Sequence, residues 1–207
     1  MVLRITTLLK KNMKYNLSEI LDVIKNRRTI YPENYSSRVV QKDIIEKLLN
    51  SAIWAPTHGK TQPWRFHVFM EDGRTTLSNK LGNIYADLYK KDTYNELKHK
   101  KLMNRPLLSS AIIAVSMARD PSKKIPEIEE VEAVACAMQN MLLTATAYGL
   151  GTFWSSPKII YTQEMNAFLE LEENDQCLGL LYIGYPSEEW PSGQRKPIEY
   201  VTKWINQ

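Results

Sequence analysis

"VEAVACAMQNMLLTATAYGLG" (131–151) is the longest apolar stretch of the chain, and its reading decides the fold. It is nearly long enough to span a bilayer. Glu132, Gln139 and Asn140 interrupt it, however, and no basic anchors flank it. A helix that is apolar almost all round and does not enter a membrane belongs at the centre of a soluble protein or between subunits. Gly149 and Gly151 end it.

Working outward, "AIIAVSMA" (111–118) is a short apolar run rich in β-branched residues and reads as a buried strand. Downstream, "TFWSS" is a strand end or loop, a short helix covers about 162–170, and "CLGLLYIGYP" is a central strand closed by Pro186. Upstream, Asn16 and Glu19 resemble a capping box. Leu17, Ile20, Leu21 and Ile24 then mark one face of a helix ending near Arg27. Ile44, Leu48, Leu49 and Ala52 form the stripe of a second helix, stopped by Pro56, and a strand follows at 64–70. Leu77, Leu81, Ile84, Tyr85 and Leu88 give a third helix, whose polar extension to about Arg105 is expected to be mobile. Helices dominate over four or five strands, so the expected fold is an α+β sandwich with one sheet between helices. Residues 15–207 form a single domain in this reading, with residues 1–14 an ornamental or disordered arm.

The chain has 207 residues, 43% of them hydrophobic, enough for one sizeable core. A net charge of +4 without a dense Lys/Arg tract argues against a nucleic-acid groove, yet suits a small anionic ligand. Cys136 and Cys177 sit in apolar runs and read as reduced, buried thiols. Three scattered histidines cannot build a metal site alone. No signal-peptide pattern opens the chain, so a cytoplasmic location is expected, with no membrane partner.

Three segments could carry chemistry. In "NRRTIYP", Arg27 and Arg28 would complement a helix C-terminus, but with Thr29 they also offer the donors that a phosphate monoester needs. Arg195 and Lys196 in "GQRKP" could close on the same anion. In "GLGTFWSSPKII", glycines permit close backbone approach, and Trp154, Ser155 and Ser156 add an aromatic face and small donors. In "APTHGKTQPWRF", Thr57, His58 and Gln62 sit at a helix–strand junction, with Trp64 as a core anchor.

In this order and spacing, "RRT", "APTH…QPWRF", "YGLGTFWSSP", "LGLLYIGYP" and "RKPIEYV" resemble the FMN-dependent nitroreductase family, over about residues 17–205. The resemblance implies a nitroreductase-like sandwich, its central sheet mainly antiparallel, in an intertwined homodimer with FMN at the subunit interface and helix 127–148 within that interface. It implies that Arg27, Arg28, Thr29 and Arg195 hold the ribityl phosphate. Thr57, His58 and Gln62 would reach the flavin from the partner chain, and Trp154, Ser155 and Ser156 would flank the ring. The activity implied is electron transfer from NADH or NADPH to nitroaromatic, quinone or related electron-poor acceptors, by ping-pong kinetics; no catalytic side chain is assigned. Dehalogenation, flavin fragmentation and flavin binding without turnover are the alternatives on the same fold. Thr29 stands where the family usually has Ser.

Overall fold

The computed structural model describes residues 15–90 and 93–206; the arm at 1–14 lies outside the described residues. Among the described residues six α-helices and four strands follow in the order α1 (Leu17–Asn26), α2 (Lys42–Ala52), β1 (Trp64–Met70), α3 (Asp72–Leu88), α4 (Glu96–Leu108), β2 (Ala111–Met117), α5 (Glu127–Ala147), β3 (Gly151–Ser155), α6 (Gln163–Phe168) and β4 (Gln176–Gly184). The strands make one sheet in the order β1-β2-β4-β3, every neighbouring pair antiparallel. The α+β sandwich expected from the sequence is the one that forms.

Alternation along the strands divides the core in two. Ala111, Ile113, Val115 and Met117 of β2, with Leu181 and Ile183 of β4, pack against α2 and α5. Ile112 and Ala114, with Leu180 and Tyr182, pack on the other side against α3, α6 and the 3-10 turn Lys158–Tyr161. Both faces of β2 are covered, which is why its sequence is apolar throughout except for Ser116. Each fully buried Leu or Ile in these layers contributes about 1.5–3 kcal/mol of transfer free energy.

Helix α5 lays Ala133, Val134, Ala137, Met138, Met141, Leu142 and Ala145 on the sheet, at the three- and four-residue steps of one helical face. Its opposite side carries Ile128, Cys136 and Gln139 outward. The expectation of two buried thiols is thereby corrected: Cys177 is buried, but Cys136 is exposed on the single chain. The apolar run around Cys136 reflects the inner face of the helix, and Cys136 projects from the outer one.

Asn16 caps α1, its Oδ1 accepting from the Ser18 amide at 3.1 Å. Among the described residues the apolar face that follows finds no cover: Leu17, Ile20, Leu21 and Ile24 are all exposed. The expected mobile extension of α3 is instead the separate helix α4. Asn95 caps it, Ser78 Oγ donates to the Met103 carbonyl at 2.6 Å, and the Tyr85 hydroxyl meets the Asn95 backbone. Hydrogen bonds hold α4 where an apolar stripe is thin, so periodicity could not show it.

A buried ion pair locks the entrance to α5. Arg119 Nη1 contacts Glu130 Oε2, and Arg119 Nη2 donates to the Ile125 carbonyl at 2.7 Å. The Asp120 amide donates to Glu130 Oε1 at 3.2 Å, so the carboxylate joins the end of β2 to the first turn of α5.

Candidate functional site

The segment after α1 is stitched to the outer strand of the sheet. Thr29 forms a parallel bridge with Thr152 of β3, and the Ile30 amide donates to the Thr152 carbonyl at 2.9 Å. Strand β3 presents Thr152 and Trp154 on one face, and with Ser156 just past its end they help to build a pocket. Arg27, Thr29, Gln139, Leu142, Thr152, Trp154 and Ser156 enclose about 360 Å³ there. Two motifs separated by more than half the chain, "RRT" and "TFWSS", thus meet in one place.

Trp154 forms the flat wall. Its indole lies across β4 at Gly179, where a Cβ would collide with the ring, and Nε1 donates to the Leu178 carbonyl at 3.4 Å. Ser155 points the other way and lines a cavity on the opposite face of the sheet. The three residues expected to act together are therefore divided two to one by the strand's own alternation.

The two arginines also separate. Arg27 faces the pocket, whereas Arg28 directs its guanidinium to backbone carbonyls: Lys25 at 2.6 Å, Arg27 at 2.8 Å and Pro191 at 3.1 Å. Trp190 Nε1 adds a bond to the Asn26 carbonyl at 2.5 Å, and a Cβ at Gly193 would strike the Arg28 guanidinium. Arg28 and Trp190 thus clamp the C-terminal segment across the end of α1, which brings Arg195 near Arg27. Burial is the first cause lowering the pKa of Arg27 from its ordinary value; the positive charges of Arg195 and Arg28 are the next two. Among the described residues none of these three arginines has a carboxylate partner. Like charges gathered in this way favour an anion among them.

The third segment lies elsewhere. The loop before β1 holds Gly59, Lys60 and Gln62 at positive φ, two of them non-glycine residues in a region that costs energy to occupy. Thr57 Oγ1 ties it by accepting from the Gln62 amide at 3.2 Å and meeting Thr61 Oγ1 at 3.2 Å. His58 Nδ1 meets Glu129 Oε2, in the first turn of α5, at 2.5 Å. Because β1 and β3 are opposite edges of the sheet, three strand spacings, roughly 14 Å, separate this loop from the Arg27 pocket within one chain. A single chain does not bring Thr57, His58 and Gln62 to Arg27, Thr29 and Trp154.

Sequence reasoning passed over Gln139, Leu142 and Thr152, which line the pocket, and Trp190, which helps to clamp the tail. Gln139 had a signal: it is a polar residue inside the apolar helix, three residues from the outward Cys136. Trp190 lies in a segment without periodicity and had none.

Among the described residues no helix is long and apolar enough to cross a membrane, and no group of His, Cys, Asp and Glu could hold a metal ion.

Comparison with known proteins agrees with the sandwich fold. The profile of the Nitroreductase family matches residues 24–185. The Bacillus subtilis protein named "Putative NAD(P)H nitroreductase YfhC" is 28% identical over 185 residues, covering 87% of this chain and 91% of its own. A Caenorhabditis elegans iodotyrosine dehalogenase 1 homolog is 27% identical, over 94% of this chain and 67% of its own. Among solved structures, a nitroreductase-like family protein of Bacillus cereus superposes with a TM-score of 0.80 at 30% identity, over 95% of this chain and 100% of that one. A Desulfovibrio desulfuricans protein, solved as a nitroreductase in complex with FMN, shares the fold with a TM-score of 0.67 at 24% identity, over 94% and 100% of the two chains. On the family match and the sandwich fold together, the chain belongs to the nitroreductase family.

Proposed function

We propose that the chain is an FMN-dependent oxidoreductase that works as a homodimer and passes electrons from NADH or NADPH to nitroaromatic, quinone or related electron-poor acceptors. The observation that carries this reading is the uncompensated arginine cluster at the Arg27 pocket, beside the flat face of Trp154. The donor set suits the phosphate and ring of FMN. Arg27 and Arg195 would supply charge to the phosphate, Thr29 a hydroxyl, Trp154 and Ser156 the wall beside the ring. Arg28 would act through the clamp that positions Arg195. When bound, the flavin supplies the two-electron chemistry, while the protein binds and orients it.

What one chain leaves uncovered supports the homodimer. The face of α1, Ile128 of α5 and the tail residues Ile198, Tyr200, Val201, Trp204 and Ile205 are exposed and apolar, an arrangement that a second copy would cover. In such a pair, Thr57, His58 and Gln62 of one chain would reach the Arg27 pocket of the other.

An absorbance spectrum of the purified protein, before and after anaerobic NADH or NADPH, tests the reading. Flavin absorbance that bleaches on addition of either nucleotide, and returns with a nitroaromatic or quinone, is the expected result. Protein that takes up no FMN on reconstitution would overturn the flavin assignment. Bound flavin that neither nucleotide reduces would leave the binding and overturn the reductase. Turnover of a halogenated tyrosine in place of nitroaromatics and quinones would move the reaction to that of the dehalogenase-named relative.

A further inference from the structure

The geometry points to a second binding site, on the opposite face of β3 from the Arg27 pocket, suited to a small aromatic anion. A cavity of about 380 Å³ lies between α3, α4 and the turn Lys158–Tyr161, with Ser155 on its wall. Trp154 and Ser156 line the Arg27 pocket, so β3 is a partition between two cavities.

Four cations border this cavity. Lys98 and Lys101 stand one helical turn apart on α4, and Lys158 comes from the facing turn. Arg105 completes the set, but its charge is already balanced. It pairs with Glu33 at 2.9 Å and lies over the rings of Phe153 and Tyr31 at 4.8 and 5.6 Å. Among the described residues the three lysines make no ion pair, and no carboxylate lines the cavity.

The inner wall is aromatic. The rings of Tyr85 and Tyr89 have centroids 4.7 Å apart, tilted by 33°. The Tyr85 hydroxyl accepts from the Asn95 amide at 3.2 Å, which holds its ring in place against the start of α4. A planar ring fits against such a wall, and a carboxylate on that ring would reach the lysines. An inorganic anion would leave the tyrosine rings unused, and a neutral arene would leave the lysine charges uncompensated. This inference is independent of the flavin assignment, because none of its residues lines the Arg27 pocket.

Calorimetric titration of the full chain with benzoate, benzamide and inorganic phosphate tests it. Benzoate is expected to bind about tenfold or more tightly than either of the others, and to weaken as salt rises. The combined change Lys98→Gln, Lys101→Gln and Lys158→Gln touches only exposed side chains, and should weaken benzoate by about tenfold or more while leaving benzamide unmoved. Arg27→Gln should leave benzoate binding unchanged. Equal affinity for benzoate and benzamide, phosphate binding as tight as benzoate, an unaffected triple variant, or loss of benzoate in Arg27→Gln would each overturn the site.

Discussion

The guanidinium of Arg27 shares its surroundings with that of Arg195, a residue from the opposite end of the chain. The two are brought together by Arg28 and Trp190, which fasten the tail across the end of α1. Without an anion the arrangement is unfavourable, since Arg27 is partly desolvated and faces two like charges.

The first prediction follows from that cost. Arg27→Gln should leave thermal stability in anion-free buffer unchanged or slightly raised. It should weaken FMN binding by about 10- to 100-fold, the loss of one charge-assisted contact of about 1.5–3 kcal/mol. Riboflavin, which lacks the phosphate, should bind wild type and variant alike. Fluorescence titration with both flavins checks this, and equal FMN affinity in the two proteins would remove Arg27 from the phosphate site.

The layer order of the fold was legible in the sequence because both of its periodicities are physical. β2 is apolar at every position but Ser116 since both its faces are buried, and Leu48 and Ala52 of the stripe expected in α2 are buried, joined by Ile45. The meeting of Thr29 with Thr152 was open only to comparison of motifs, since a backbone bridge leaves no mark in side-chain pattern. Helix α4 was missed because its capping Asn95 and the Ser78 bond do the work that an apolar face does elsewhere. The division of Ser155 from Trp154 and Ser156 depends on where β3 begins, a matter of one residue that motif order does not fix. Nothing in the sequence separated Arg28, spent on carbonyls, from Arg27, which faces the pocket.

The second prediction concerns the opposite sheet edges. If one site draws on two chains, Arg27→Gln and Thr57→Val damage different halves of it; Thr57 matters because its hydroxyl accepts from the Gln62 amide. Neither variant alone should hold FMN well. After co-refolding in equal amounts, mixed dimers carry both lesions in one site and none in the other, so about a quarter of wild-type flavin content should return. A flavin-to-protein ratio by absorbance reads the result. No recovery in dimers shown to have exchanged chains would place the Thr57 loop and Arg27 in the same protomer's site, or in none.

The third prediction tests the lock at the entrance to α5. Glu130 is buried and accepts from both Arg119 and the Asp120 amide. Glu130→Gln leaves a buried guanidinium without its counter-charge, a change that typically costs about 3–5 kcal/mol. Chemical denaturation should show a loss of that order. The exposed pair Lys42–Glu46 serves as the control: Glu46→Gln should change stability by less than about 1 kcal/mol. Similar losses in the two variants would remove the special standing of the Arg119 pair.

The fourth prediction is alkaline. Burial pushes the Cys177 thiol up from 9.0 to about 11, against smaller opposing effects of hydrogen bonds with Gly179 and Ser116. A raised acid in the fold means that the unfolded chain ionises first. The stability tied to this thiol is therefore complete below pH 9 and is lost as pH rises through 11, to a total of about 2–3 kcal/mol. Tyr35 and Tyr182 are also shifted upward by burial, so wild type loses stability in this range for more than one reason. Cys177→Ala isolates the thiol. The variant starts lower at pH 8 because of its cavity, but its stability should fall less steeply between pH 9 and 11. Parallel curves for the two proteins would mean that Cys177 ionises as readily in the fold as in the unfolded chain.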